Sequence, residues 1–573
     1  MGDGSFRGVA AAAGAGAIVF LFFLPAVSFP FLNWDDVDIF VRNPALPAPG
    51  FVSWAFTTRY LEHFQPGAWL AWGAVDRTWS LTPAAAHTMN VLLHAACAAL
   101  VVVLADRLGM DRVSGAIGAL LFALHPLRVE VVAWASAMPY SLALLFALLS
   151  TFAFLAGRST VAVALYAVSL AARPIALGLP VVLAALGWFM PGPTGPGLHD
   201  RRAGPFGPAA IARISPFIVL AIAAAFLESR ARLTATFAEV GAGARLTLAC
   251  TAPFKYLWRT IVPLHLTPLD PLALAPRADV PLLLASAAAL IVITWMAWRW
   301  RREYPRSFVA WISYLALLVP AVGLVPSGLQ ATADRYTYFA AVPLALWIAA
   351  GPAKAGHHDG EYVVSAFRRT RVPALAVVLL ALALLSFRQM QYWRDSIALW
   401  TRAVDVDPRS DVARYNLASA YAEAGRRDDA LAQYDEVLRI VPEHRDARRN
   451  HDLLKAAQLE DEANGLAASG KLDAAIERYR QAIALDSART HSQAALGMAL
   501  VQRGRTADAI QPLRTAINLG APEPAVPNAL AYSLMMNGRT RDACDVLVAA
   551  RARFPDDMDL ARNLAQLSRA CGQ

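Results

Sequence analysis

Charge is scarce in this chain: Asp, Glu, Lys and Arg make up 17% of its 573 residues, against about 25% in average soluble proteins. The deficit is uneven. Residues 8–34 carry no charged side chain at all, and that run exceeds the roughly 20 residues needed to cross a bilayer. Cysteine is also rare. Cys97, Cys250, Cys544 and Cys571 have no metal-binding spacing; Cys544 and Cys571 would pair only in an oxidising compartment, and two buried thiols are expected instead. Basic residues interleaved with aromatics on a soluble stretch are missing too. The net charge of +9, from 52 Lys and Arg against 43 Asp and Glu, therefore points to no nucleic-acid partner. There is no persuasive small-x-small cleavage site after Arg7, so the first apolar run is expected to remain as a membrane span.

What is present is a series of long apolar runs, 57% of the chain being hydrophobic with a mean hydropathy of +0.41. Further spans are expected at 88–105, 113–124, 131–157, in two short runs on either side of Arg173, and at 214–227, 280–298, 307–333, 336–353 and 372–387. With the first run this makes about 11 spans in an all-α, polytopic bundle. Lys and Arg gather in alternate loops, at Arg107 and Arg112, Arg158, Arg201 and Arg202, Arg299 to Arg302, and Lys354 to Arg371. The positive-inside rule then puts the N-terminus on the cytoplasmic side of the membrane. Asp35, Asp36, the HPLRVE segment, Arg173, residues 228–279 and the ADRYTY segment fall on the outer side. Residues 246–263 are apolar but punctuated by Lys255 and Arg259, and are expected to be amphipathic or re-entrant.

Composition turns charged and alanine-rich near Arg388, which divides the chain into residues 1–388 and 389–573. The tail repeats. GKLDAAI, GRTADAI and GRTRDAC begin at Gly470, Gly504 and Gly538, 34 residues apart, with Ala475, Ala509 and Ala543 in step. GRRDDAL at Gly425 precedes them by 45, one period plus 11. A 34-residue unit with a Gly turn, a small residue at the helix crossing and a closing Pro, as at Pro408 and Pro442, is the tetratricopeptide pattern. About four units and a leading half-unit are expected to stack into an α-solenoid on the outer side, binding a protein or peptide.

Ionisable groups at membrane depth cost about 2.5–3.5 kcal/mol each at mid-span, so their clustering on one side asks for a purpose. The outer face collects Asp35, Asp36, Asp38 and Glu130 with His87, His94 and His125, then Arg128, Arg173 and Arg335, and the polar or aromatic Trp34, Asn90, Gln330, Tyr336 and Tyr338. A carboxylate beside an anion site suits transfer from a lipid phosphate. Arg holds the phosphate through its planar fork, and the acceptor hydroxyl needs a base within hydrogen-bond reach.

The motifs NWDD followed by NP, HTMNVLLH, FALHPLRVEVVAW, ARPIALGLP, YLWRTIVPLHLTPLDP, GLVPSGLQATADRYTYF and YWRDSIALW, ahead of the repeats, resemble the bacterial relatives of the transmembrane and tetratricopeptide repeat O-mannosyltransferases of the GT-C superfamily. The resemblance implies an inverting protein O-glycosyltransferase that moves a hexose from a polyprenyl-phosphate donor to Ser or Thr of an extracytoplasmic protein. It places the catalytic acid at Asp35 or Asp36, with Glu130 as a further candidate. Arg335, Arg173, Tyr336 and Gln330 would hold the donor phosphate, and His87, Asn90, His125, Arg128 and Tyr338 would line the substrate pocket. Two departures stand out: ASAMPYSLA carries no charge where the relatives have a charged cluster, and Arg173 replaces their lysine.

Each residue also has a plainer role. Asp35 and Asp36 fit a solvated helix end, Glu130 an ion pair with Arg128 or His125, Arg335 a salt bridge with Asp334, and Arg173 a snorkelling side chain. Tyr336 and Tyr338, two apart, would share one face if extended. His87, Asn90 and His94, at i, i+3 and i+7, would form a divalent-metal site with Asp35, but histidines bonded inside a bundle are the commoner arrangement, so a divalent-metal cofactor is not the expectation. The competing functions are a non-catalytic membrane anchor for a repeat scaffold and a lipid-linked-sugar transporter; the second lacks the inverted duplication that transporters show.

Overall fold

The computed structural model describes residues 3–61, 63–189, 208–231, 240–270, 279–324, 330–351 and 361–567. They are helical throughout, with no strand among the described residues beyond an isolated bridge between Tyr60 and His63. The chain divides into two compact units, Met1–Ala413 and Arg414–Gln573.

Among the described residues of the first unit six helices are long and apolar enough to cross a membrane: Gly8–Ser28, Pro83–Arg107, Ala135–Leu155, Ile211–Ser229, Val280–Arg299 and Val372–Tyr392. A seventh arises if Arg112–Ala123 and Pro126–Ala133, bent by 59°, are counted as one. The expected 11 spans, which counted the two short runs beside Arg173, are not confirmed among the described residues: those runs form Ser159–Ala172 and Ala176–Phe189, and two further apolar runs also make short helices, Pro305–Ala321 and Ala341–Ala350. Proline and polar clusters account for the shortening. Arg173 sits just before Pro174 and is extended, with φ −160° and ψ 127°, as a residue before proline prefers. The run expected over 131–157 is likewise broken at Trp134, which is extended between Val129–Ala133 and the turn Ala135–Ala137. Residues 246–263 fall largely in helix Ala242–Ile261, outside the set long and apolar enough to span.

Helix Pro83–Arg107 is the centre of this unit. It packs against Asp3–Phe23, Arg112–Ala123 and Met138–Leu155, and Thr82 caps its first turn by accepting from the Ala85 amide at 3.2 Å. By contrast Val280–Arg299 buries almost nothing: Leu284, Ile291 and Trp295 are each more than 60% exposed.

The composition changes near Arg388, yet the first unit extends to Ala413. Helix Ser396–Val406 explains the offset. Trp400 donates to Asn33 Oδ1 at 2.7 Å, and the Asn33 amide donates to Ser396 Oγ at 2.9 Å, which ties this helix to the first loop.

The second unit is built of helix pairs: Asp411–Glu423 with Arg427–Ile440, Arg445–Ala468 with Leu472–Leu485, Thr490–Gln502 with Thr506–Asn518, and Ala525–Met536 with Thr540–Arg553, closed by Met558–Leu567. Gly425, Gly470, Gly504 and Gly538 all have φ between 73° and 77°, the left-handed region that a side chain disfavours. Ala430, Ala475, Ala509 and Ala543 are all fully buried where the helices of a pair cross. The 11 extra residues lie in Arg445–Ala468, whose 24 residues compare with 13 in Thr490–Gln502. Eleven residues are about three helical turns, so the insertion lengthens the helix and keeps its buried face in register. Cys544 is disulfide-bonded rather than a free thiol; Cys571 lies outside the described residues.

Candidate functional site

The two acids of the first loop part company. Asp36 is fully buried, and its oxygens accept from the Leu32 amide at 3.0 Å and the Ser136 amide at 2.9 Å. It fastens the loop to the Ala135–Ala137 turn. Burial pushes its carboxyl up to about 7, a rise that the two amides partly oppose. Asp35 is half-buried and accepts no hydrogen bond from the described residues. Burial raises its carboxyl as well, against the opposing pull of the Arg335 and Arg173 charges. The pair left undivided by sequence thus splits into a structural acid, Asp36, and a free one, Asp35.

Arg335 is held by Glu130 and Gln330. Its backbone amide donates to Glu130 Oε2 at 2.9 Å, its guanidinium forms a close ion pair with Glu130 Oε1, and Nη2 donates to Gln330 Oε1 at 2.8 Å. The guanidinium also lies over the rings of Trp134, at 5.3 Å, and Tyr336, at 5.0 Å. Two expectations are corrected here. Glu130 pairs with neither Arg128 nor His125, and with both oxygens engaged it is a positioning residue for Arg335 rather than a free base. Asp334 leaves Arg335 to Glu130 and meets Arg259 at 3.4 Å.

Arg259 also donates to Asp270 at 2.9 Å, and Asp270 takes Lys255 and the Thr332 hydroxyl. This network clamps Ala242–Ile261 to the Asp334–Thr337 turn. In the sequence Lys255 and Arg259 register only as interruptions of an apolar run, and that interruption is the available signal.

Arg173 has different company. It donates to Gln65 Oε1 at 2.8 Å and Tyr140 Oη at 3.3 Å, contacts His63 Nε2 at 3.1 Å, and stacks over Tyr140 at 4.9 Å. No carboxylate among the described residues lies within ion-pair distance. His63 in turn meets Glu228 at 3.4 Å, so a carboxylate lies one imidazole away from Arg173; the Arg173 charge also pulls the Asp35 carboxyl down, less than Arg335 does. Tyr140 belongs to ASAMPYSLA, so that uncharged segment serves the site through an aromatic face and through the Ser136 amide.

The remaining candidates build the interior. His94 accepts from the Tyr338 hydroxyl at 2.6 Å and donates to Ala123 O at 3.1 Å, and Ser141 donates to Tyr338 at 3.3 Å. Tyr338 is fully buried. It shares no face with Tyr336, because Asp334–Thr337 is a tight helical turn and not a strand. Asn90 donates to Trp134 O at 2.7 Å, fastening the break in the helix. His125 donates to Thr260 O at 2.9 Å and accepts from the Leu127 amide at 3.2 Å. Arg128 donates to Thr337 and lies against Phe122 and Tyr338. His87 is fully buried, edge-on to Phe29. All six are buried, and no cluster of three or more metal-binding side chains occurs among the described residues.

Beside Asp35, Trp34 stacks on Trp134 at 4.9 Å and meets Trp400 at 5.0 Å. The site therefore offers one carboxylate that accepts no hydrogen bond from the described residues, one guanidinium with no carboxylate within ion-pair distance among them, and an aromatic wall. Such a set can take a proton from a hydroxyl and hold an anion.

A family model, Tetratricopeptide repeat, matches residues 378–445 and 460–524. The tail is a tetratricopeptide-repeat domain, and such repeats imply protein–protein interaction. Among solved structures, YrrB, described as a TPR protein with an unusual peptide-binding site, is 17% identical over 36% of this chain and 99% of its own, with a TM-score of 0.19. TTC0263, a thermophilic TPR protein of Thermus thermophilus, is 21% identical over 34% and 95%, with a TM-score of 0.16. MamA from Desulfovibrio magneticus RS-1 is 16% identical over 29% and 85%, with a TM-score of 0.18. No curated protein matches the chain.

Proposed function

We propose that the chain is a membrane-anchored repeat protein whose tetratricopeptide domain engages a protein or peptide partner outside the cytoplasm. The repeats carry this reading: their turns, small-residue crossings and helix pairs form an interaction module with no catalytic constellation. Membrane anchoring is supported by helices such as Val280–Arg299, whose Leu284, Ile291 and Trp295 would be costly to expose to water. An extracytoplasmic tail is supported by the alternation of basic loops and by the disulfide at Cys544, since disulfides persist in oxidising compartments. A periplasm-active reporter fused after Gln573 is expected to be active; a stable but inactive fusion overturns that orientation. A photo-crosslinker at the exposed Tyr532 or Met536 is expected to trap a discrete partner in cells. Absence of adducts above those from an exposed site on the first unit removes the scaffold function.

A transferase function is favoured by one observation, an Asp35 carboxylate that accepts no hydrogen bond from the described residues and feels the charges of Arg335 and Arg173. In that reaction Asp35 accepts the proton of a Ser or Thr hydroxyl while its oxygen attacks the sugar carbon, and the bond from that carbon to the lipid-phosphate oxygen breaks. The departing phosphate carries its electron pair to Arg173. Arg335, saturated by Glu130, shapes the site and adds field. Purified protein given a radiolabelled polyprenyl-phosphate hexose and a periplasmic extract is expected to label protein, and Asp35→Asn is expected to abolish the label. Undiminished labelling by that variant removes Asp35 as the base; no labelling by the intact chain leaves the anchor function alone.

A further inference from the structure

An apolar cleft, its space of about 840 Å³ including open solvent at the mouth, lies among helices Pro83–Arg107, Met138–Leu155, Leu179–Phe189, Pro305–Leu318 and Ala341–Ala350. Leu104, Leu148, Leu186 and Val309 are typical of its wall. It shares no residue with the acid and guanidinium site. One cation lines it, Arg306, which is half-buried and makes no hydrogen bond or ion pair with any described residue.

Two properties define an occupant. The first is charge. Arg306 is accompanied by no carboxylate in the cavity's lining, so the end that it marks suits a phosphate. The second is depth. Arg306 and Leu317 both line the cavity, and along one helix they are about 16 Å apart at about 1.5 Å per residue. That is about half of a hydrocarbon core roughly 30 Å thick, the depth of a single leaflet. A long polyprenyl chain would overrun it.

We propose that this cavity holds an acyl chain of an anionic glycerophospholipid whose phosphate rests on Arg306. The proposal depends on the membrane location of the first unit and is independent of any transferase activity. An apolar chain replaces water against leucine, valine and alanine, and the phosphate supplies the anion that the guanidinium lacks.

The test is native mass spectrometry of the full chain, delipidated in detergent and given equal amounts of phosphatidylglycerol and phosphatidylcholine. One phosphatidylglycerol is expected to be retained about tenfold over phosphatidylcholine. Arg306→Gln, at the cavity's edge, is expected to remove the preference, and Val182→Phe, which intrudes on the lining, to lower retention of both lipids. Equal retention by the intact protein, or an unchanged preference in Arg306→Gln, overturns the assignment. Displacement of phosphatidylglycerol by undecaprenyl phosphate at equal concentration overturns it too, identifying a polyprenyl site instead.

Discussion

Both carboxylate oxygens of Glu130 accept from one residue, Arg335, the backbone amide taking one oxygen and the guanidinium the other. The contact joins positions 205 apart in sequence and fixes the ADRYTY turn against the bent helix that carries HPLRVE. It also distinguishes the two arginines, because Arg335 is paired with a carboxylate and Arg173 has none within ion-pair distance among the described residues.

Glu130→Ala is expected to destabilise the chain strongly. Removing one partner of a buried ion pair leaves the other charge uncompensated, at a cost of about 3–5 kcal/mol. Thermal unfolding of the purified protein should show a large fall in midpoint. An unchanged midpoint would mean that Arg335 finds water or another acid.

Asp35→Asn and Asp36→Asn should separate by readout. The Asp36 substitution weakens an acceptor that satisfies two buried amides, at a cost of roughly 1–3 kcal/mol if one is left unpaired. The Asp35 substitution removes no hydrogen bond to the described residues, so the unfolding midpoint should stay nearly constant while any transfer activity disappears. The reverse pattern would exchange the two roles.

Asp36 also gives a pH signature. Its folded value of about 7 lies above the ordinary 3.8, so the folded state holds a proton that the unfolded chain has released between those values. Its contribution to stability is therefore greatest below about pH 4, declines as pH rises to about 7, and is flat above. The stability difference between the intact chain and Asp36→Asn should move in the intact chain's favour as pH falls from 8 to 5. Measuring the difference cancels the titration of other groups, and a difference independent of pH contradicts the raised value.

In the repeats, Gly497→Ala and Gly470→Ala should fail for different reasons. A Cβ at Gly497 would lie 2.4 Å from Leu513 Cγ and 2.5 Å from its Cδ2, an overpacking that costs about 1–3 kcal/mol. A Cβ at Gly470 meets nothing within 4 Å, but φ is 77°, so the cost is about 1–2 kcal/mol of backbone strain. Gly470→Asn, which tolerates that region, should recover part of the loss, whereas no larger residue should rescue position 497. Chemical denaturation of the full chain distinguishes the two.

The repeat domain is legible in the sequence because its determinants are local. A glycine that must adopt positive φ and an alanine where two helices cross recur with the period of the fold, and even the 11-residue insertion follows from whole helical turns. The apolar runs are legible for the same reason, although several helices are shorter than their runs because proline and polar clusters interrupt them. Roles within the polar cluster are not legible. Asp35 and Asp36 are neighbours of one chemical type, and only contact with the Leu32 and Ser136 amides separates them.

Sequence by itself determined an all-helical chain with long apolar segments and a tetratricopeptide tail, since helical period, hydropathy and turn chemistry are properties of consecutive residues. Tertiary structure alone decided that Glu130 belongs to Arg335, Asp334 to Arg259, and Arg173 to Gln65, His63 and Tyr140. Charges attract without regard to position in the chain, so the choice among several acids and several arginines is made by the packing that brings remote segments together and by the burial that leaves no group free to pair elsewhere.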